Sequence, residues 1–225
     1  MPVNTAVYQS IKKELSLTNT RLIAVSKTKP LGDLQEMYDL GQRDFGENYV
    51  QELVDKQAAL PKDINWHFIG HLQSNKVKYI APFVHLIHGV DGLKLLQEIN
   101  KQAAKNNRVI DCLLQIHIAQ EETKFGLNEK ELTELQPYID QLKNVRICGL
   151  MGMASFTEDQ LQLESEFKSL KSIAEKFKSI FGSISTVHRL PSMILSMGMS
   201  SDYQLAIQNG SNMVRIGSLL FGARK

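Results

Sequence analysis

Short apolar runs rich in β-branched and aliphatic residues alternate along this chain with longer stretches whose apolar residues recur at three- and four-residue steps. The runs read as strands at Leu22–Ser26, Arg43–Gly46, Trp66–Ile69, Leu86–Gly89, Cys112–Ile118, Ile147–Met151, Met193–Met197 and Met213–Ile216. The stretches between them read as helices at Asp33–Leu40, Tyr49–Ala59, Gly92–Asn106, Glu129–Leu142, Glu158–Ile180 and Asp202–Gln208. In Gly92–Asn106, for example, Leu93, Leu96, Ile99 and Ala103 form one stripe. Asp33 and Asp91 stand where an N-cap belongs, and Gly41 and Gly210 where a helix should stop.

Strands that alternate with helices imply parallel pairing, because each return crossover needs a helix. The pattern permits a doubly wound open sheet or a closed barrel, and periodicity does not choose between them. Length favours closure: a minimal (β/α)8 barrel takes roughly 200–250 residues, and the 225 present would be almost wholly consumed. No repeat, low-complexity tract or linker leaves room for a second unit. The expectation is an α/β fold, a single (β/α)8 TIM barrel domain over residues 1–225. Val3–Leu15 would be an extra N-terminal helix that closes the bottom.

Composition narrows the partners. A formal charge of +2 with 22% charged residues gives no electrostatic footprint for nucleic acid. The lysines of 168–178 are interleaved with Glu164, Glu166 and Glu175, as on a solvated helix face. No run of about 18 apolar residues suggests a membrane span, and the polar start is no signal peptide. A cytoplasmic location is expected. Cys112 and Cys148 each sit in an apolar strand-like run and read as two buried thiols. No His/Cys cluster shows metal-ligand spacing, so no metal is expected, and His85, His88, His117 and His188 receive no role.

The chemistry collects at the C-terminal ends of the strands, the edge where α/β sheets and barrels bind ligands. The first strand ends in Lys27. An ammonium directly after apolar residues is partly desolvated, which lowers its pKa and frees an amine able to form an imine with an aldehyde. The plain alternative is a lysine that snorkels to solvent. Leu195–Asp202 and Val214–Ser218 are both strand ends running into glycine and serine turns. Their exposed N–H groups and hydroxyls suit a phosphate, although each could be an ordinary turn. Arg215 lies between apolar residues and needs a buried partner, either a carboxylate such as Glu47 or a ligand atom. Asn48 is read as both a helix N-cap and a ligand contact. His67 is as readily a satisfied core histidine as a functional one, and Met151 could pack on a cofactor ring.

At these residues the chain resembles the pyridoxal 5′-phosphate (PLP) homeostasis protein family, also called the YggS/PROSC family. The segments are AVSKTKP (24–30), GQRDFGENYVQE (41–52), WHFIGHLQSNK (66–76), KFGL (124–127), GLM (149–151), LSMGMSSD (195–202) and VRIGSLLFGAR (214–224). They span nearly the whole chain. The resemblance implies an alanine racemase barrel-like domain, PLP fold type III, that holds PLP as a Schiff base on Lys27. It implies phosphate contacts from Ser200, the Met199 backbone, Gly217 and Ser218, with Ser196 as a neighbour. It sets Arg215 against the pyridine nitrogen and Asn48 beside the cofactor. An arginine there would leave that nitrogen unprotonated and weaken the ring as an electron sink. His117 stands where many relatives have asparagine, Gly152-Met153-Ala154 replaces the more frequent Ala-Ile-Pro, and His188–Pro191 is atypical.

Two PLP functions follow. One is a non-catalytic carrier in vitamin B6 homeostasis, acting as a monomer, that supplies PLP to apo PLP-dependent enzymes. The other is an amino-acid racemase, which needs a second base on the opposite face of the substrate. In two-domain racemases the resemblance implies that a separate domain supplies that base, and nothing after Lys225 provides it. The carrier is the expected function. A barrel enzyme that uses Lys27 on a sugar phosphate is the alternative without PLP.

Overall fold

Parallel strands cannot turn straight back on themselves, and this chain spends a helix or helical turn on almost every return. The computed structural model describes residues 3–121, 125–178 and 193–222. Its strands are β1 (Arg21–Val25), β2 (Asp44–Glu47), β3 (Asn65–Phe68), β4 (Leu86–Val90), β5 (Ile110–Ile116), β6 (Val145–Gly152), β7 (Ile194–Ser196) and β8 (Met213–Ile216). All pair in parallel in chain order, and β8 returns to β1 to close the barrel. The helices are α1 (Thr5–Leu17), α2 (Leu31–Asp39), α3 (Val50–Ala59), α4 (Val77–Ile80), α5 (Leu93–Lys105), α6 (Glu129–Ile139), α7 (Gln160–Lys176), α8 (Tyr203–Gln208) and α9 (Ser218–Phe221).

Each expected strand is present to within two residues. The helical turns α4 and α9 were not anticipated, being four residues each and too short for a periodic stripe. The end of the expected helix Glu158–Ile180, the segment His188–Pro191 and Lys124 of KFGL lie outside the described residues. Two caps are corrected. Asp33 falls inside the first turn of α2, which starts after Pro30, and α5 starts after Gly92 rather than Asp91. Gly41 and Gly210 do follow helix ends, at φ +92° and +99°, where a left-handed residue costs glycine nothing.

Successive strand residues serve two different cores. Leu22, Ala24, Phe45, Ile87, Leu114 and Ile147 pack outward against the helices, in a layer that includes the fully buried Phe68, Phe167 and Phe221. Ile23, Leu86, Leu113, Cys148, Ile194 and Met213, their neighbours on alternate positions, fill the barrel itself. Cys112 belongs to the outer layer and Cys148 to the inner, so the two free thiols face opposite sides of the sheet.

Helix α9 is too short to cover the seam between β8 and β1, and α1 does so in its place. It packs on α9 and β1, and the Asn4 N–H donates to Leu220 O. Glu14 accepts from Tyr203 and Gln204 of α8. The Tyr8 hydroxyl donates to Gln42 Oε1 at the foot of the barrel. The helix therefore lies along the side of the barrel, where closure of the bottom had been expected.

The loop after β1 is held from α3. Lys56 Nζ donates to Ser26 O at 2.7 Å, to Glu47 Oε1 at 2.8 Å and to Glu52 Oε1 at 2.7 Å. Ser26 Oγ donates to Glu47 Oε1 at 2.6 Å, and the Thr28 N–H to Glu52 Oε1 at 2.6 Å. The backbone is thus gripped on both sides of residue 27. Burial pushes the Glu47 carboxyl above its ordinary value even with the Lys56 ammonium against it.

Three stability predictions follow from this packing. Gly149 sits at φ +155°, and a Cβ there would lie 1.9 Å from Ile194 O, whereas a Cβ at Gly32 meets nothing within 4 Å. Gly149→Ala should cost upward of about 2 kcal/mol, and Gly32→Ala in α2 should gain roughly 0.5–1 kcal/mol, both read from urea midpoints. Lys56→Met should cost about 3–5 kcal/mol at neutral pH, because it strands the Glu47 charge. A carboxyl whose pKa is raised in the folded state favours that state at acid pH and loses the advantage as pH rises through its folded pKa. Removal of Lys56 raises that pKa further, so the deficit should shrink as the pH is lowered from 7 towards 5.

Candidate functional site

The β1–β8 register sets the site. Ala24 pairs with Ile216, and Gly217 packs so close to Val25 that a Cβ would meet its carbonyl oxygen at 3.3 Å. Half-buried Lys27 therefore leaves β1 alongside the Gly217–Ser218 turn, at the C-terminal end of the barrel. Thr28 takes φ +63°, an uncommon conformation for a β-branched residue, and the Glu52 contact to its N–H holds it there. Lys29 Nζ donates to Phe221 O at 2.7 Å and Gly222 O at 3.2 Å, tying this loop to the end of α9.

The two serine and glycine turns meet. The Gly217 N–H donates to Ser200 Oγ at 3.2 Å. Gly198 has φ +95°, and a Cβ there would strike Ala206 and Tyr203, so this bend admits only glycine. The Met199 N–H donates to Asp202 Oδ1 at 2.5 Å, which engages this anticipated donor within its own turn. Ser218 is exposed at the start of α9.

Ser196 belongs elsewhere. It is fully buried inside the barrel, where its Oγ and carbonyl O each lie 2.7 Å from Arg215 Nη1, while Nη2 donates to Gly152 O at 3.0 Å. Glu47 is not the partner of Arg215. It lies one residue past inward-facing Gly46, on the outer face of β2, and pairs with Lys56. Burial among neutral groups draws the Arg215 guanidinium down to about 10.

From Ser196 a file of hydrogen bonds crosses the interior. Ser196 Oγ lies 3.2 Å from His88 Nδ1, His88 Nε2 lies 3.0 Å from His67 Nδ1, and His67 Nε2 lies 3.0 Å from Asp44 Oδ1. Burial lowers the pKa of both His67 and His88, which keeps them neutral. A carboxylate only accepts, so His67 carries its proton on Nε2 and accepts at Nδ1 from His88. His88 in turn accepts from the Ser196 hydroxyl, and Ser196 Oγ accepts from Arg215. Every proton in the file points from mouth to foot. His85 stands beside His67 at the foot of the barrel, with ring centroids 5.2 Å apart.

Asn48 does not cap α3, whose N-cap is Tyr49 with no side-chain bond. Its Oδ1 is buried without a hydrogen-bond partner. An orphaned acceptor of this kind fits a ligand that brings a donor. Met151 is buried on the inner face of β6 with Met153 against it. His117 Nε2 donates to Glu121 O at 3.0 Å. Two features escaped the sequence reading. One is the Lys56–Glu52 clamp, legible only as an i,i+4 pair. The other is the convergence of Asp44, His67 and His85, which has no signature in spacing.

The alanine racemase N-terminal domain family model matches residues 5–225. The pyridoxal phosphate homeostasis protein of Aquifex aeolicus (strain VF5) is 41% identical over 206 residues, 91% of this chain and 87% of its own. Its counterpart in Pasteurella multocida (strain Pm70) is 39% identical over 227 residues, 99% and 93% of the two chains. PipY of Synechococcus elongatus PCC7942, solved with PLP bound, superposes with a TM-score of 0.85 at 34% identity over 96% of this chain and 99% of its own. An alanine racemase of Bartonella henselae shares the fold at a TM-score of 0.69 and 16% identity, with 99% of this chain matched to 60% of the racemase. With the barrel closed as anticipated and the motifs in register along it, the chain belongs to the pyridoxal phosphate homeostasis protein family, built on the N-terminal barrel of alanine racemase.

Proposed function

We propose that this chain is a PLP carrier, which holds the cofactor covalently through Lys27 at the barrel mouth and passes it to apo PLP-dependent enzymes. The observation that carries the reading is the Gly217–Ser200 hydrogen bond, which joins two anion-suited turns beside the strand that ends in Lys27. The buried, unpaired Oδ1 of Asn48 supports it, as does the PLP bound by PipY. When bound, PLP supplies an electrophilic aldehyde carbon and an electron-withdrawing ring.

The chain's own residues divide the work of holding it. Lys27 offers its amine from a backbone clamped by Lys56 and Glu52, so little ordering remains to be done on binding. Ser200, Gly217, Ser218 and the Met199 N–H are assigned to the phosphate, for which the Met199 N–H would give up Asp202. Met151 and Asn48 are assigned to the ring. Arg215 is assigned to the ring nitrogen, where a guanidinium keeps that atom unprotonated and disfavours carbanion chemistry. That balance suits holding over turnover. No described helix is long and apolar enough to cross a membrane, and we assign the protein to the cytoplasm as a monomer.

Purified protein incubated with PLP should gain an absorption band at the violet edge of the visible. Borohydride should fix the label to the peptide that contains Lys27, and Lys27→Ala should abolish the fixation. Protein that stays colourless with excess PLP would sink the proposal. Ser200→Ala should weaken binding roughly tenfold, the worth of one hydrogen bond to a charged group. Single-enantiomer amino acids should keep their optical rotation with the loaded protein, and turnover on the order of 1 s⁻¹ would replace the carrier with a racemase.

A further inference from the structure

We propose that the foot of the barrel, opposite the mouth, holds a binding site for a first-row divalent metal ion of the zinc type, formed by Asp44, His67 and His85. The site stands apart from the PLP reading and does not rest on it. One ligand atom from each of the three residues lies within 4.8 Å of those from the other two. A tetrahedral ion with bonds of about 2.0–2.1 Å needs its ligand atoms roughly 3.3 Å apart. Asp44 Oδ1 and His67 Nε2 already stand at 3.0 Å. The remaining closure falls to His85, which is exposed just before β4 and able to swing inward.

The donor set chooses the ion. Two imidazoles and one carboxylate suit zinc and its neighbours, whereas calcium and magnesium want oxygen throughout. Three protein ligands, from β2, from β3 and from just before β4, leave a fourth position, open to water on the exposed side of His85. His67 has the support that metal-bound histidines have, because its second nitrogen is fixed by buried His88 at 3.0 Å. The thiols do not compete, since burial drives Cys112 and Cys148 towards the protonated form. Arg21, at the foot of β1, is the cation that opposes an incoming ion, and it is exposed and free to turn away.

Occupancy has a consequence for the file of protons above. An ion on His67 Nε2 requires the lone pair there, so the proton moves to Nδ1 and donates to His88 Nε2. His88 then donates from Nδ1 to Ser196 Oγ. Both histidines change tautomer, and the hydroxyl next to Arg215 must rotate. An ion at the foot would thus be sensed at the mouth.

The test uses tag-free protein stripped with EDTA and dialysed. Titration with Zn2+ by calorimetry should give one ion per chain, and Co2+ should give the visible absorption of a low-coordinate nitrogen and oxygen site. Asp44→Asn and His85→Ala should each weaken Zn2+ at least tenfold. His71→Ala, which removes the other exposed histidine–carboxylate pair with Asp91, should bind as the parent does. His85 is exposed, so its variant should fold, which a circular dichroism spectrum checks, and Asp44→Asn is a second, independent variant. Nitrogen-15 spectra should show His67 and His88 exchanging tautomers as Zn2+ is added. Absence of saturable binding, binding untouched by both variants, or unchanged histidine tautomers at saturation would each overturn the proposal.

Discussion

Backbone pairing between β1 and β8 is the constraint on which the rest depends. It joins Arg21–Ala24 to Met213–Ile216, residues about as far apart as the chain allows, and closes a sheet that would otherwise carry two unpaired edges. Closure creates an inside, and the inside creates the polar file, since interior positions on eight strands have nowhere to look but at one another. It also sets a lysine from the first strand beside glycine turns from the last two. A doubly wound sheet built from the same strands would have kept these residues apart.

The loop that carries Lys27 is held with more care than a surface lysine needs. Its two flanking peptides are bonded to side chains of α3, the next residue sits at a positive φ, and Lys29 is tied to the last helical turn. A buried ion pair between Lys56 and Glu47 is costly to desolvate and returns little net stability. What it gives is position. The conformational cost of fixing the backbone around residue 27 is met during folding, before any ligand arrives.

The strands were legible because apolar runs bounded by turn residues recur at the spacing of β/α units, and their ends were right to within two residues. The caps at Asp33 and Asp91 were misread because Pro30 and Gly92 start those helices by backbone geometry alone, which leaves the aspartates inside or outside the turn. The partner of Arg215 was misread for a deeper reason. Strands buried on both faces are apolar on both, so Phe45 and Glu47 gave no sign that they point outward while Gly46 points in. The three residues at the foot were illegible because only strand register brings residues 44, 67 and 85 together. Lys27 and the two glycine turns could be placed at strand ends from sequence because each is local.

Helix α1 covers a seam that α9 is too short to protect, and the seam itself needs β8. While the protein is being made, the first strand must therefore wait, its neighbour on one side missing, until β8 has left the ribosome. A sheet with so late a final contact folds slowly for its size, since nothing rewards closure in advance. Lys56, only some thirty residues beyond Ser26 in sequence, can settle the first loop long before that, and so the nascent barrel would keep the backbone on both sides of residue 27 in place ahead of the strand that completes the wall.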